Sequence, residues 1–408
     1  MTEAHESYGQ FMLLLGVVAV LGIPLRSALR KMALPALVAF IGLGVAISAA
    51  DQSFGFLTQR LDDGIGLLAQ IGLVALLFRV GIESDLGRLA GQMRRAAAIW
   101  LPNMILPAVL AFALIWAWPG FGLVPALLTG IAASATSIGI STAPWEEASA
   151  LQSDNGALML DVAEIDDVSA VVLLGIVFAV VPNLQNGNAM IGEAVWAGGV
   201  QLAKIALFSG VCYLFSRFAE PRLSALFSRF DRQTGPFVFA AGTVFLIAAL
   251  ADMLGFSMAI GAIFAGLAFS RDPEERQIDD AFAYVLALFG PFFFLSVGLS
   301  VGFETIWTAL TLAMALFLAL FAGKLIGAGL AAWAVAGRKT GWLIGMSMVP
   351  RAEIFLIVMA HGLSLGSWAV PQELYTASVL AAVATCIVAP LIVSRLLANE
   401  ERTTEATT

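Results

Sequence analysis

Charge is what this chain is short of. Only 12% of its residues are Asp, Glu, Lys or Arg, about half the share found in soluble domains. That deficit excludes an ordinary water-soluble globule. Histidine is nearly missing: His5 and His361 are the only two, and they offer no paired metal site. The two cysteines, Cys212 and Cys386, both lie in apolar runs. They provide neither a disulfide framework nor metal-ligand spacing. No basic patch suits nucleic acid, and no nucleophile–base spacing points to an enzyme. Residues 1–7 lack the basic region of a cleaved signal peptide, so the first apolar run is expected to remain as a helix. No loop is long enough to fold alone, and no soluble or nucleotide-binding domain is expected.

What is present is apolar length. Of the 408 residues, 60% are hydrophobic, and they fall in repeated runs of about 20, enough to cross a bilayer as helices. The alternation of a membrane barrel is absent. The expected class is all-α integral membrane, with about 13 transmembrane helices near 8–25, 33–50, 64–84, 96–118, 122–143, 156–182, 190–217, 235–254, 256–270, 280–301, 305–335, 341–363 and 374–395. The span at 256–270 is short enough to be a partial helix.

Alternate loops collect most of the 21 basic residues: Arg26, Arg30 and Lys31; Arg88, Arg94 and Arg95; Arg217, Arg222, Arg229 and Arg232; Arg271 and Arg276; Arg338 and Lys339; Arg395 and Arg402. The opposite loops hold only Arg60. The positive-inside rule then puts the N-terminus outside and the C-terminus in the cytoplasm. The 144–155 loop is acidic where a basic one is expected, but acids weigh little in this rule. Arg79 lies near a span end and is expected to snorkel. Lys204, Lys324 and Arg351 lie deeper and need partners, and Lys204 has none in view.

The spans divide into two sets of opposite orientation, the pattern of inverted transporter repeats. The fifth and twelfth correspond, and both look interrupted. The fifth contains the small, polar run Ala133-Ser-Ala-Thr-Ser-Ile-Gly139. The twelfth contains Gly345-Met-Ser-Met-Val-Pro350, followed by Arg351 and Glu353. Pro350 removes a backbone donor and pushes Val349 out of helical angles.

Asp166 and Asp167 stand side by side in the apolar stretch from Gly156 to Val181. Asp167 is about eleven residues from the cytoplasmic end, roughly 17 Å at helical rise, hence near mid-membrane. A carboxylate there costs several kcal/mol unless a cation, a proton or a base compensates it. The two differ by about 100° around the helix, so one can face a base while the other faces an ion. Lys324, between Gly323 and Gly327 of a GxxxG, is the expected base. Asp161, Glu164 and Asp167 form a drifting acidic stripe that suits a cytoplasmic entrance; the plainer alternative is solvated charge at a helix end. Arg351 and Glu353, two residues apart, would face nearly opposite ways in a continuous helix, so they are expected to reach across the interruption or to pair with neighbouring helices as a structural brace.

Taken together, Ala133-Ser-Ala-Thr-Ser-Ile-Gly-Ile-Ser141, Ile165-Asp-Asp-Val168, Ile260-Gly-Ala-Ile-Phe-Ala-Gly266, Phe292-Phe-Phe-Leu-Ser-Val-Gly298, Gly323-Lys324 and Pro350-Arg-Ala-Glu353 resemble the bacterial monovalent cation:proton antiporters of the NapA and NhaA type. The resemblance covers nearly the whole chain. It implies an NhaA-like fold in which the two interrupted helices cross beside the ion site. Helices near 96–182 and 305–395 would form a moving core, those near 8–84 and 235–301 a dimerisation scaffold, and 190–217 the link, in a homodimer of the inner membrane. Asp167 matches the main ion-binding carboxylate, Asp166 its neighbour and Lys324 the lysine that pairs with Asp166. Thr136 and Ser137 would line the site, and Arg351 and Glu353 match a charged pair on the second crossing. The resemblance implies that sodium would bind at Asp167, alone or with Asp166 as a second ligand, and that no cofactor is needed beyond the transported Na+ (or Li+) and H+. Two aspartates in place of asparagine–aspartate imply electrogenic exchange, serving pH homeostasis. Ala352 stands where the family usually has glycine. K+/H+ exchange in the same fold, and more remotely a cation channel, are the alternatives.

Overall fold

The computed structural model describes residues 2–31, 34–55, 57–83, 86–184, 191–254, 257–270 and 275–405. Their elements are helical, with no strand among them. In chain order they are α1 (Thr2–Lys31), α2 (Ala36–Phe54), α3 (Gln59–Glu83), α4 (Leu86–Ala117), α5 (Leu123–Ala132), α6 (Ile138–Glu147), α7 (Asp154–Leu184) and α8 (Ile191–Leu214). There follow α9 (Glu220–Phe230), α10 (Gly235–Met253), α11 (Met258–Phe269), α12 (Glu275–Leu299), α13 (Ile306–Ala336), α14 (Arg338–Ser347), α15 (Glu353–Leu365) and α16 (Gln372–Glu405).

Eight helices among the described residues are long and apolar enough to cross a membrane, and three more are apolar but shorter. The chain is a multi-pass membrane protein. The expectations from sequence gain detail in four places. The fifth and twelfth spans are each two half-helices, α5 with α6 and α14 with α15. The 256–270 span is a helix of 12 residues, about 18 Å long, which falls short of a hydrocarbon core of about 30 Å. The basic loop after the seventh span is itself a helix, α9. It buries Glu220 and Ser224, one turn apart, and exposes Arg222 and Phe230; its 11 residues are too few to cross the hydrocarbon.

The chain forms two compact units. The first comprises Met1–Pro24, Phe40–Leu86 and Gly175–Gly298. Here α11 packs on α3 and α10. Gly81 of α3 meets Gly266 of α11 so closely that a Cβ on either would collide with the other's Cα, at 2.9 and 2.8 Å. Phe78, Phe269 and Phe282 fill the space around that contact. Arg79 does more than snorkel: it forks onto Asp279, Nε to Oδ1 at 2.7 Å and Nη2 to Oδ2 at 2.9 Å.

The second unit comprises Leu25–Ala39, Gly87–Leu174 and Leu299–Thr408. In it α13 packs on α14 and α16, and α5 on α15. The GxxxG of α13 is used as its spacing predicts. A Cβ on Gly323 would lie 2.5 Å from the Pro107 Cα, and one on Gly327 would strike the Pro102 carbonyl. That close approach sets Lys324 against α4. Every residue of the candidate site belongs to this unit.

Candidate functional site

The site begins with two broken helices. α5 ends at Ala132, and the small residues Ala133 to Ser137 carry the chain to α6 in turn and extended conformation. α14 ends at Ser347, and Met348 to Ala352 lead into α15. Pro350, lacking an N–H, cannot continue the first half-helix. The breaks touch: the Ser137 N–H donates to the Pro350 carbonyl at 3.1 Å. A broken helix frees carbonyls at one end and N–H groups at the other, with partial charges to match.

Lys324 uses the carbonyl end. Its Nζ donates to the Ser134 carbonyl at 2.7 Å, to Thr136 Oγ1 at 2.8 Å and to Asp166 Oδ2 at 3.0 Å. All three ammonium hydrogens therefore have acceptors. Thr136 passes the interaction on, donating its own hydrogen to Asp166 Oδ2 at 2.6 Å. The other carboxylate oxygen, Oδ1, accepts from Asn103 Nδ2 at 3.1 Å. The Lys324 and Asp166 side chains are 0% and 1% exposed. A buried pair of this kind gains little net stability, but removing one partner strands the other, at a cost of about 3–5 kcal/mol.

α4 and α7 are fastened beside the pair. Trp100 Nε1 donates to Ser169 Oγ at 2.8 Å, one turn from the Asn103–Asp166 bond on both helices. Trp145 of α6 donates to Ser347 of α14 at 2.9 Å, tying the half-helices of the two breaks together. Glu353 opens α15, where the helix dipole favours an acid, and accepts from Ser137 Oγ at 2.7 Å.

Of the residues singled out from sequence, Asp166, Lys324 and Thr136 converge on one cluster, with Ser137 beside it holding Glu353. Asp167 lies in α7 one residue on, but its side chain is outside the described residues. Asp161 and Glu164 are each 6% exposed, packed inside the unit and not solvated at a helix end. Arg351 and Glu353 do not form the expected pair. Glu353 turns to Ser137, whereas Arg351 Nε, Nη1 and Nη2 have no hydrogen-bond partner. The residues are two apart across the start of a helix, which sends them different ways. Arg351 remains close enough to interact electrostatically with Asp166. Lys204 is exposed on α8 in the other unit.

Sequence reading missed Asn103 and the Ser134 carbonyl. Asn103 carried a signal: it is a lone carboxamide in an apolar run, flanked by Pro102 and Pro107. A backbone carbonyl carries none.

Chemically, the cluster offers carboxylate, hydroxyl and backbone carbonyl oxygens around a buried ammonium. Hard oxygens suit a small cation. Among the described residues, no group of three His, Cys, Asp or Glu could hold a resident metal. A mostly apolar cavity of about 290 Å³ between α13 and α14, walled by Leu330, Trp333 and Trp342, has no such donors.

Comparison with known proteins gives the same direction. Over 365 residues the chain is 27% identical to the Na+/H+-K+ antiporter GerN of Bacillus cereus, covering 87% of each chain. It is 24% identical to a Na+/H+ antiporter of Enterococcus hirae over 365 residues, covering 89% of this chain and 92% of the relative. Its fold matches that of the sodium proton antiporter MjNhaP1 of Methanocaldococcus jannaschii with a TM-score of 0.68 at 13% identity, covering 95% of this chain and 97% of that one. Residues 16–399 match the model of the transmembrane sodium/hydrogen exchanger family. With that match over nearly its whole length, the chain belongs to the sodium/hydrogen exchanger family and is a transporter, not a catalytic enzyme.

Proposed function

We propose that the chain is an electrogenic antiporter that exports Na+ in exchange for H+ by elevator-type alternating access. The observation that carries this reading is the buried Asp166–Lys324 pair at the crossing of two broken helices. With no cation present, Lys324 neutralises Asp166. A sodium ion bound at Asp167, with Asp166 as second ligand, takes over that neutralising role, and Lys324 lets go. Protons released from the carboxylates and the lysine leave in the opposite sense. Two ionisable partners beside one monovalent cation allow two protons to move for each sodium, which makes the cycle electrogenic.

In this reading the helices near 96–182 and 305–395 carry the ion and those near 8–84 and 235–301 hold a homodimer in the bacterial inner membrane, linked through 190–217. The N-terminus faces outward and the C-terminus the cytoplasm. Asp161 and Glu164 open toward the cytoplasm only when the carrier moves, since they are packed away in the present state.

Potassium is the second reading. The name of the Bacillus cereus relative includes K+, and oxygen donors alone accept either ion. Purified protein in liposomes with a pH-sensitive dye decides between them. Na+ and Li+ should evoke proton movement more strongly than K+, the response should follow an imposed membrane potential, and Asp167→Ala should abolish it. Undiminished exchange by Asp167→Ala would sink the assignment, and a K+ response exceeding that of Na+ would favour the alternative.

A further inference from the structure

Asn103 is completely buried, and only half of its amide is used. Nδ2 donates to Asp166 Oδ1 at 3.1 Å, while Oδ1 is buried with no hydrogen-bond partner. Native proteins rarely leave a buried carbonyl oxygen unsatisfied, and each such atom asks for an explanation. A leucine or methionine would fill the same apolar position of α4 without that cost. The amide also stands on the carboxylate oxygen that Lys324 and Thr136 leave alone, since both of them bind Oδ2.

We infer that Asn103 is a ligand of the transported cation, rotating its amide so that the carbonyl oxygen faces the ion where Asp166 serves as its second ligand beside Asp167. The inference rests on the antiport reading. An amide has a donor end and an acceptor end of nearly equal size. In the cation-free state an anionic Asp166 calls for the donor, which is the arrangement observed. When a cation arrives at Oδ1, an N–H pointing at it is repulsive. Half a turn of the amide replaces the N–H by the carbonyl oxygen at the same place, about 3 Å from Oδ1. Two oxygens that far apart can share one small cation, standing in for part of its hydration shell. The same side chain thus stabilises both states and needs no backbone movement. Pro102 and Pro107, held against Gly327 and Gly323 of α13, fix the stretch of α4 that carries it.

The test compares wild type, Asn103→Leu and Asn103→Asp in proteoliposomes, with Na+ titrated at constant pH. Asn103→Leu removes both ends of the amide; Asn103→Asp keeps an oxygen and removes the donor. The expected result is a rise of at least about tenfold in the KM for Na+ with Asn103→Leu, the loss of one interaction of ~1.4 kcal/mol. Asn103→Asp should keep its KM within about threefold of wild type. In detergent, the rise in Tm that Na+ produces in wild type by binding the folded state should persist in Asn103→Asp and vanish in Asn103→Leu. If Asn103→Leu does not fold, Asn103→Ala is read in the same way. An unchanged KM in the apolar variant overturns the inference, and so does equal damage in both variants, because Asn103 would then act only through its N–H. In either case wild type still exchanges Na+ for H+ and the antiport reading stands; a wild type without Na+-dependent proton movement overturns both.

Discussion

Asp166 on α7 and Lys324 on α13 meet at 3.0 Å with neither side chain reaching solvent. A pair so placed responds asymmetrically to substitution. Lys324→Gln leaves a buried carboxylate that can be relieved only by binding a proton or a cation. Its stability should fall by about 3–5 kcal/mol, and its exchange should lose its dependence on membrane potential. The double variant Asp166→Asn with Lys324→Gln removes both charges and should be more stable than Lys324→Gln alone. Denaturation midpoints of the single and double variants form a cycle that isolates the coupling. Additive losses would show that the two groups do not depend on each other.

Thr136 links the pair through one hydroxyl, accepting from Lys324 and donating to Asp166. Thr136→Val keeps the shape and deletes both hydrogen bonds. Leaving two buried partners short should cost about 1–3 kcal/mol and raise the KM for Na+. Thr136→Ser should restore most of both. The measurement is Tm beside a Na+ titration for the two variants, and equal behaviour of Val and Ser would remove the hydroxyl from the mechanism.

The parts of this site that were legible in the sequence are those that violate the membrane's rules. Asp166 and Lys324 are costly in an apolar run, and Pro350 with the Ala133–Ser137 cluster interrupts two helices; each stands out without coordinates. Their convergence did not follow from spacing, because it depends on how α4, α7 and α13 pack. Arg351 and Glu353 show the limit. The resemblance implied a charged pair, whereas their spacing, two residues apart, already turned them different ways; Glu353 reaches across the break to Ser137. α9 is not legible in the sequence because its 11 residues carry Glu220, Arg222 and Arg229 and resemble a charged loop.

The α13–α4 contact is tight enough to test directly. Gly327→Val would drive a side chain into the Pro102 carbonyl. Overpacking of that kind typically costs about 1–3 kcal/mol, and here it also shifts Asn103 and Lys324 apart. Gly337→Ala, at a glycine whose added Cβ meets nothing but whose φ is +95°, should lose stability through backbone strain while leaving the KM for Na+ unaltered. Tm and KM measured together separate the two kinds of damage.

Asp231, exposed between α9 and α10, holds the turn by a different device. Its Oδ2 accepts from Thr234 Oγ1, and its Oδ1 from the N–H groups of Thr234 and Gln233. The Thr234 hydroxyl, then the Thr234 and Gln233 N–H groups, hold the carboxyl below its ordinary 3.8. A lowered folded-state pKa means that this contribution is present above 3.8 and is lost as pH falls through the folded value. Asp231→Asn keeps the acceptor but cannot titrate. The difference in Tm between the two proteins should therefore be constant near neutral pH and narrow as the pH drops below 3.8. A gap that does not change with pH would mean that the charge plays no part in the turn.

Arg351 carries a buried charge that no hydrogen bond holds. Its side chain is 0% exposed and none of its three guanidinium nitrogens is hydrogen-bonded, although its backbone is anchored by Thr385 and Cys386. A bare buried cation destabilises the fold, and an apolar side chain of similar length should do better. Arg351→Met is expected to raise Tm, by about 1–4 kcal/mol in stability terms. Sodium binding should respond as well. Removing a positive charge near Asp166 removes its repulsion of an arriving cation, so the KM for Na+ should fall. Arg351→Lys keeps the charge and should keep the wild-type KM. The two variants together distinguish an electrostatic role from a packing one: if Met lowers Tm and leaves the KM for Na+ in place, Arg351 is a structural brace, and its field plays no part in binding the cation.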